Sequence, residues 1–201
     1  GPWRFLPRYD PGFVAAYFDE TGLYAYGRQG DALLWNLVQL AEALGPLISE
    51  DRARTILSSF QPRRLRLSHL RLLDRLGLRP AGPVADAALV DNALCFLRES
   101  ELPFDRLFFD AYGGPLSDGR PERGPAAAFY RGARWESLRR RLLAATPQAE
   151  AGARLADPYF GGAGPVTLVI EEVEALWRPI AESDDWSLFE RKIEIGRASC
   201  R

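Results

Sequence analysis

Several residue types are scarce or absent in this chain of 201 residues. It contains no methionine, one lysine (Lys192) and one histidine (His69), so nearly all its basic side chains are arginines. Because residue 1 is glycine and no methionine follows, we expect the chain to be an internal piece of a longer protein. The arginine bias, with abundant Ala, Leu, Gly and Pro, indicates a GC-rich coding sequence rather than a functional choice.

Cysteine is also scarce. The two cysteines, Cys95 and Cys200, do not suggest a disulfide framework. Cys95 stands among apolar residues, which favours a small buried side chain over a reactive thiol. Cys200 lies in the segment IGRASCR, residues 195–201, which matches the translation of a common sequencing adapter. We therefore expect residues 195–201 not to belong to the native protein.

Long apolar runs and a strong net charge are missing too. No run approaches the roughly 18–20 apolar residues that cross a bilayer, and the N-terminus has no signal-peptide pattern. The formal net charge of −1 gives no argument for nucleic acid or an acidic membrane surface as a partner. We predict neither partner.

Motifs that carry catalysis are absent as well. The chain has no C-x-x-C, H-E-x-x-H or G-x-S-x-G motif, and Gly113-Gly114 lacks the spacing of a phosphate loop. His69 has no second metal-type residue at ligand spacing, so a structural role is predicted. The acidic groups near the C-terminus fit helix caps and solvated faces better than acid–base chemistry. These groups are Glu171, Glu172, Glu174, Asp184 and Asp185.

The clearest amphipathic helix follows an aromatic, glycine-rich loop. Within residues 1–31, prolines forbid a continuous helix, and the many rings need a large surface to pack on. Asp31 is a plausible N-cap for a helix over 32–47. We predict that residues 9–48 form the centre around which the later helices are arranged. The apolar stripe consists of Leu33, Leu37, Leu40, Ala41, Leu44 and Leu47.

The rest of the chain repeats the three- and four-residue spacing of amphipathic helices. Ser49 is predicted to cap the next helix, and Pro62 to end or kink it. Ser183 is predicted to cap the last helix, with Trp186, Phe189 and Ile193 facing inward. Further helices are predicted over 63–78, 84–100, 103–114, 129–145, 167–180 and 184–194, with irregular stretches over 80–83, 115–125 and 147–165. The segment 115–125 is the most disorder-like.

An arginine row in the predicted helix 63–78 has two readings. It could be a basic patch for phosphate or nucleic acid, or the solvated side of a helix whose leucines are buried. The second is favoured, because long arginine side chains commonly line solvated helix faces. The row consists of Arg63, Arg64, Arg66, Arg71 and Arg75.

Three N-terminal segments resemble the selenoprotein O family, protein adenylyltransferases with a pseudokinase fold. They are GPWRFLPRYDPGF, FDETGLYAYGRQ and LLWNLVQLAEAL. The family pattern reads approximately D-Y-G-P-W-x-F-(L/M), Y-(D/E)-P, D-x-x-G-x-Y-(A/S)-(F/Y)-x-x-Q and W-N-L-x-x-L-A. The resemblance is strong over the first quarter of the chain, and the remainder looks like the helical C-terminal part of one bacterial branch.

The resemblance implies a mainly α fold with few or no strands. It would be the helical C-lobe of a protein-kinase-like fold plus family-specific C-terminal helices. The expected organisation is one unit over 1–194, comprising an aromatic loop (1–31), central helices (32–79), further helices (84–145) and a C-terminal helix pair (166–194).

The resemblance also implies an activity for the parent protein. That activity is the transfer of AMP from ATP to Ser, Thr or Tyr hydroxyls of target proteins, with Mg²⁺ or Mn²⁺, in the bacterial cytoplasm. The family's metal- and ATP-binding aspartate would lie two residues before Gly1, and the other catalytic groups further upstream. We therefore expect no catalytic, ATP-binding or metal-binding residue in this chain, and no Mg²⁺ or ATP bound by it alone.

Some residues of the chain are expected to support that site structurally. Asn36, at the edge of the apolar stripe, is expected to hydrogen-bond the preceding loop backbone. Gly30 stands where many family members have proline. Ala15 stands where some carry a redox cysteine, so redox control by that cysteine is not expected here. The full support set is Gly1, Pro2, Trp3, Tyr24, Trp35 and Asn36.

Two further hypotheses remain open beside the fragment of an AMP transferase. One is a non-catalytic helical protein–protein interaction module. The other is a nucleic-acid binder that uses the arginine row. On the preferred hypothesis the partners are ATP and protein substrates.

Overall fold

The computed structural model describes residues 4–199, and these form helices and turns without a β-strand, which confirms the mainly α prediction. Two isolated β-bridges, Arg8 with Pro103 and Leu78 with Pro147, join loops. None of the described helices is long and apolar enough to cross a membrane. The α-helices are α1 (Gln29–Ala43), α2 (Glu50–Arg75), α3 (Pro83–Ser100), α4 (Phe104–Asp110), α5 (Arg120–Arg123), α6 (Gly132–Ala144), α7 (Ala151–Leu155), α8 (Ile170–Ser183) and α9 (Ser187–Ser199).

The core lies where α3 packs against α6 and α2, and α4 contributes further buried side chains to it. The inward residues of α3 and α6 recur at three- and four-residue spacing, so each helix presents one apolar face. The Phe96 ring lies against Tyr130, with 5.8 Å between centroids, and Trp135 completes the cluster. The fully buried side chains include Leu73, Leu76, Leu78, Val90, Phe96, Leu97, Leu102, Leu107, Trp135 and Leu138.

The predicted centre, residues 9–48, is not the core. Helix α1 begins at Gln29 rather than Ala32, and Arg28 rather than Asp31 occupies its N-cap. Gly30 is its one buried residue, while Leu33 and Leu40 are each 52% exposed. The prediction was wrong because α1 packs mainly on α2 and lies beside the core instead of in it.

Helix α2 is one continuous helix of 26 residues that contains Pro62, so the predicted alternative in which the helix ends at Pro62 is wrong. Its N-cap is as predicted, since Ser49 Oγ accepts a hydrogen bond from the Arg52 N–H at 3.4 Å. A helix can run through a proline when packing on either side outweighs the lost hydrogen bond. The leucine face is buried at Leu73 but exposed at Leu65 and Leu67, so it is only partly covered.

The segment 115–125, predicted as disorder-like, is folded. A 3-10 turn at Gly114–Ser117 and helix α5 occupy it. The Trp135 indole N–H donates to Glu122 Oε1 at 2.9 Å, and Arg139 pairs with Asp118. These bonds come from α6, so the order of this segment is a tertiary effect.

The C-terminal helices are less enclosed than predicted. Trp186, Phe189 and Ile193 are all more than one-third exposed rather than inward, because α8 and α9 pack mainly on each other. Ser183 is the last residue of α8 and not the cap of α9. The Ser187 N–H donates to Asp185 instead. Residues 147–165, predicted as irregular, include α7.

Candidate functional site

The segment 9–28, here called the motif loop, contains a turn built around one carboxylate. Asp19 accepts hydrogen bonds from the N–H groups of Leu23 at 2.9 Å and Tyr24 at 2.7 Å. These bonds, that from Tyr24 above all, hold the pKa of Asp19 below its ordinary value. Gly22 has φ +67°, a conformation that glycine adopts without strain. The D-x-x-G-x-Y pattern is therefore a locally closed turn.

The motif loop is also closed at its base. The Tyr26 N–H donates to the Phe13 carbonyl at 2.9 Å, and the Gly27 N–H donates to the Pro11 carbonyl at 2.8 Å. A Cβ at position 27 would lie 2.8 Å from Pro11 Cβ, so only glycine fits this crossing. The loop thus holds a fixed backbone path from the Tyr9-Asp10-Pro11 segment to the start of α1.

The chain leading into the motif loop is held on the core. Leu6 is buried, and the Phe104 N–H donates to the Pro7 carbonyl at 3.0 Å. The Tyr9 ring stacks on Phe104 and meets Tyr26 edge-on, each with 6.1 Å between centroids. Burial raises the pKa of the Tyr9 hydroxyl. The described N-terminal residues are therefore fixed against the start of α4.

At the joint between α1 and α2, the end of the Arg64 side chain lies directly over Gly30. A Cβ there would lie 2.4 Å from the Arg64 guanidinium carbon. Gln61 of α2 donates to the Gly30 carbonyl at 3.4 Å and to the Asp31 carboxylate at 3.2 Å. Glycine at this position, where many members of the resembled family have proline, lets Arg64 cover the first turn of α1.

Beyond this joint the two helices enclose an open apolar groove, here called the α1–α2 groove. Its volume is about 770 Å³. Three arginines line it, and no Asp or Glu does. Its main walls are Leu37, Leu40 and Leu44 on one side and Ile56, Leu57 and Phe60 on the other.

The predicted support residues are only partly described. Gly1, Pro2 and Trp3 lie outside the described residues. Tyr24 and Trp35 are 56% and 63% exposed, although the Tyr24 backbone serves the Asp19 turn. Asn36 is exposed on α1, and in residues 4–199 its side chain does not form the predicted hydrogen bond to the loop. The supporting role of these side chains stays a prediction.

The other candidate residues occupy structural positions. His69 is buried on α2, and Cys95 is a free, half-buried cysteine of α3. Glu172 pairs with Lys192, and Asp184 accepts from the Trp186 indole at 2.8 Å. Across residues 4–199, no group of three or more His, Cys, Asp or Glu side chains is arranged to hold a metal. Cys200 lies outside the described residues.

A buried polar centre on α4 was not predicted. Asp110 is 1% exposed and accepts from Arg106 Nε at 2.7 Å and from the Tyr130 hydroxyl at 2.9 Å. Burial, together with the Asp110 charge, raises the pKa of Tyr130 far above its ordinary value. The signal available in the sequence was the four-residue Arg–Asp spacing in FDRLFFD. This centre ties α4 to the turn before α6.

A family model and several curated relatives point to the same family. The family model described as protein adenylyltransferase SelO matches residues 1–195. The protein nucleotidyltransferase YdiU of Myxococcus xanthus is 34% identical over 203 residues, covering 97% of this chain and 40% of that protein. Those of Bradyrhizobium diazoefficiens (32% over 206 residues) and Gloeobacter violaceus (31% over 199 residues) cover 97% and 94% of the chain, and 40% of each relative. The chain thus spans about 40% of the length of these curated relatives.

Proposed function

Because this chain belongs to the SelO family of protein adenylyltransferases, we propose that it is the helical part of an enzyme that transfers AMP from ATP to protein hydroxyls. The acceptors are Ser, Thr or Tyr side chains of target proteins. The reaction takes place in the bacterial cytoplasm, and its partners are ATP and protein substrates. No nucleic acid or membrane takes part.

The described residues do not fit a Mg²⁺ or Mn²⁺ site, because residues 4–199 lack a three-ligand group of suitable side chains. On the family resemblance, we propose that the metal and ATP bind in another part of the protein. On this proposal the metal-binding aspartate lies two residues before Gly1, and no chemical step belongs to the side chains described here.

The proposed role of this chain is to hold the backbone that follows the metal site. The observation that carries this role is the anchoring of the N-terminal segment on α4. Leu6 is buried, Pro7 bonds to the Phe104 N–H, and Tyr9 stacks on the Phe104 ring. Because catalysis depends strongly on exact placement of reacting groups, a fixed path for the residues after the metal ligand would support transfer.

The experiment uses the full-length protein with ATP labelled at either the α or the γ phosphate. Transfer of the α label, but not the γ label, to a protein acceptor is the expected result. Transfer of the γ label would indicate a kinase, and absence of any transfer would contradict the proposed activity. ATP·Mg²⁺ binding by the 201-residue chain alone, measured by calorimetry, would contradict the assignment of the nucleotide site to the rest of the protein.

The supporting role has its own test in the motif loop. Asp19→Ala removes the acceptor of the Leu23 and Tyr24 N–H groups and should lower AMP transfer by at least about tenfold, since misplacement far from the chemistry is costly. Glu20→Ala is the matched control, because Glu20 is an exposed neighbouring acid. Equal activity of the two variants would refute the role of the turn.

A second candidate function is a non-catalytic helical interaction module, which the exposed α1–α2 groove favours. Its signature would be partner binding by the full-length protein without AMP transfer. The arginine row does not favour a nucleic-acid binder. Arg66 pairs with Asp86 and Arg75 with Asp105, so part of the row is engaged within the fold.

A further inference from the structure

Arg75, the last residue of α2, holds the start of α4 by two kinds of contact. Its guanidinium carbon lies 4.0 Å from the centroid of the Phe108 ring and 5.4 Å from that of the Phe104 ring. Its Nη2 donates a hydrogen bond to Asp105 Oδ1 at 2.6 Å. A cation over an aromatic face is attracted by the ring, and a planar guanidinium can stack and pair at the same time. One side chain of α2 therefore contacts three residues of α4.

These contacts are partly shielded from water, unlike an ordinary surface ion pair. Both rings are buried. The side chains of Arg75 and Asp105 are 43% and 22% exposed, whereas those of the α2 pair Arg54 and Glu50 are 72% and 84% exposed. Exposed pairs contribute little, because water screens them and their side chains lose entropy when they pair. Arg75 is thus a packed contact and not a solvated member of the arginine row.

Phe104 is also the residue that holds the N-terminal segment, residues 6–9. Its N–H donates to the Pro7 carbonyl at 3.0 Å, and its ring stacks on Tyr9. Burial raises the pKa of the Tyr26 hydroxyl in the motif loop, and the nearby charge of Arg75 opposes that rise. A displaced Phe104 would release both Pro7 and Tyr9.

We propose that Arg75 is a positioning residue for AMP transfer, an inference that rests on the proposed function. Arg75 keeps Phe104 in the orientation that holds residues 6–9, and the proposed function places this segment just after the reacting groups. Arg75 acts through Phe104 rather than by touching ATP or the acceptor hydroxyl. Lysine at this position would keep the charge and a pairing with Asp105 but would lose the flat contact with the rings.

The first test measures amide hydrogen exchange in the full-length protein, resolved to single residues, and needs no activity. Phe104 is the first residue of α4, so its N–H has no acceptor within that helix, and its protection reports the bond to Pro7. Arg75→Met removes the guanidinium but keeps an unbranched side chain. It should speed exchange of the Phe104 amide by at least about tenfold.

Two control variants separate this local effect from other causes. Arg54→Met removes an arginine from the same helix at an exposed position and should leave the exchange rate of the Phe104 amide unchanged. Leu142→Val weakens packing at a buried position of α6 without removing any contact of Arg75. It should also leave that rate unchanged, because the Phe104 amide exchanges through local opening.

The second test measures AMP transfer by the full-length protein from ATP labelled at the α phosphate. Arg75→Met should lower kcat by at least about tenfold and change the KM for ATP by less than about twofold, because the nucleotide contacts remain. Arg75→Lys should recover part of the lost kcat. Arg54→Met and Leu142→Val should transfer AMP at the rate of the unsubstituted protein.

Several results would overturn the inference. An unchanged exchange rate of the Phe104 amide in Arg75→Met would do so whatever the activity. Equal acceleration by Leu142→Val would make Arg75 a source of general stability only, and full transfer by Arg75→Met would remove its positioning role. If the unsubstituted protein transfers no AMP, the proposed function fails and the positioning role with it, while the exchange measurement still decides whether Arg75 holds residues 6–9. If Arg75→Met does not fold, Arg75→Lys and Asp105→Asn allow the same measurements with smaller expected effects.

Discussion

The α3–α4–α6 core and the pair formed by α1 with the first half of α2 contain similar apolar side chains but differ in what covers them. Phe96, Trp135 and Leu138 are at most 2% exposed, because rings and leucines of neighbouring helices enclose them. Leu40 and Ile56 are more than half exposed. An amphipathic pattern therefore predicts that a helix face packs against another element, but it does not identify that element.

The largest expected contrast is between two tryptophans. In the 201-residue chain, Trp135→Ala should lower the free energy of unfolding by about 3–5 kcal/mol, because it leaves a cavity in the core. Trp35→Ala, at a 63% exposed position, should change it by less than about 0.5 kcal/mol. Urea unfolding measures both, and similar losses would contradict the division into a covered and an uncovered region.

Two ion pairs give the next contrast. Asp110→Ala should cost about 3 kcal/mol, because it leaves Arg106 buried without its counter-charge. Glu101→Ala removes the exposed partner of Arg8 and should cost less than about 1 kcal/mol. Thermal unfolding of both variants tests this, and a small effect at Asp110 would show that the buried centre is not needed for stability.

Substitutions at two glycines are expected to have smaller effects on the free energy of unfolding. Gly77 has φ +64°, and a Cβ there would lie 2.6 Å from the Tyr112 ring, so Gly77→Ala should cost about 1–3 kcal/mol. At Gly30 the obstacle is the mobile end of Arg64, so Gly30→Ala should cost less. Chemical denaturation ranks the pair, and the reverse order would contradict the packing described for the α1–α2 joint.

A pH-dependent effect is expected where α2 meets α3. Burial alone would raise the pKa of Asp86, but the Ala81 N–H bond and the Arg66 guanidinium outweigh it and lower the pKa. The contribution of Asp86 is therefore present above the unfolded-state pKa of about 3.9 and is lost as the pH falls towards the lower folded-state value. Melting temperatures in acid should fall less steeply for Asp86→Asn than for the unsubstituted chain. Parallel curves of melting temperature against pH for the two proteins would contradict a lowered pKa of Asp86.

Local patterns in the sequence predicted much of the fold. The Ser49 cap follows from capping rules, and the helix predicted over 84–100 follows from three- and four-residue spacing. The prediction for residues 115–125 was wrong because their structure depends on contacts with residues distant in sequence. The order of residues 115–125 comes from Trp135 and Arg139, whose partners no local pattern reveals.

The candidate site was predictable in part. The sequence predicted an aromatic, glycine-rich loop over residues 1–31, but it did not predict the turn that Asp19 closes by accepting from Leu23 and Tyr24. The exposure of Trp35 and Asn36 could not be predicted, because an apolar stripe shows a need for burial but not whether it is met within residues 1–201. The Asp110 centre could not be predicted, because it depends on where the fold places Tyr130.

Hydrogen exchange of the 201-residue chain is the most direct test of the difference between the tightly packed α3–α4–α6 core and the exposed helix α1. The amides of α3 and α6 should exchange only through global unfolding. Those of α1 should exchange much faster, through local opening, because no core packing holds this helix. Exchange of α1 at the same slow rate as α3 would contradict the account.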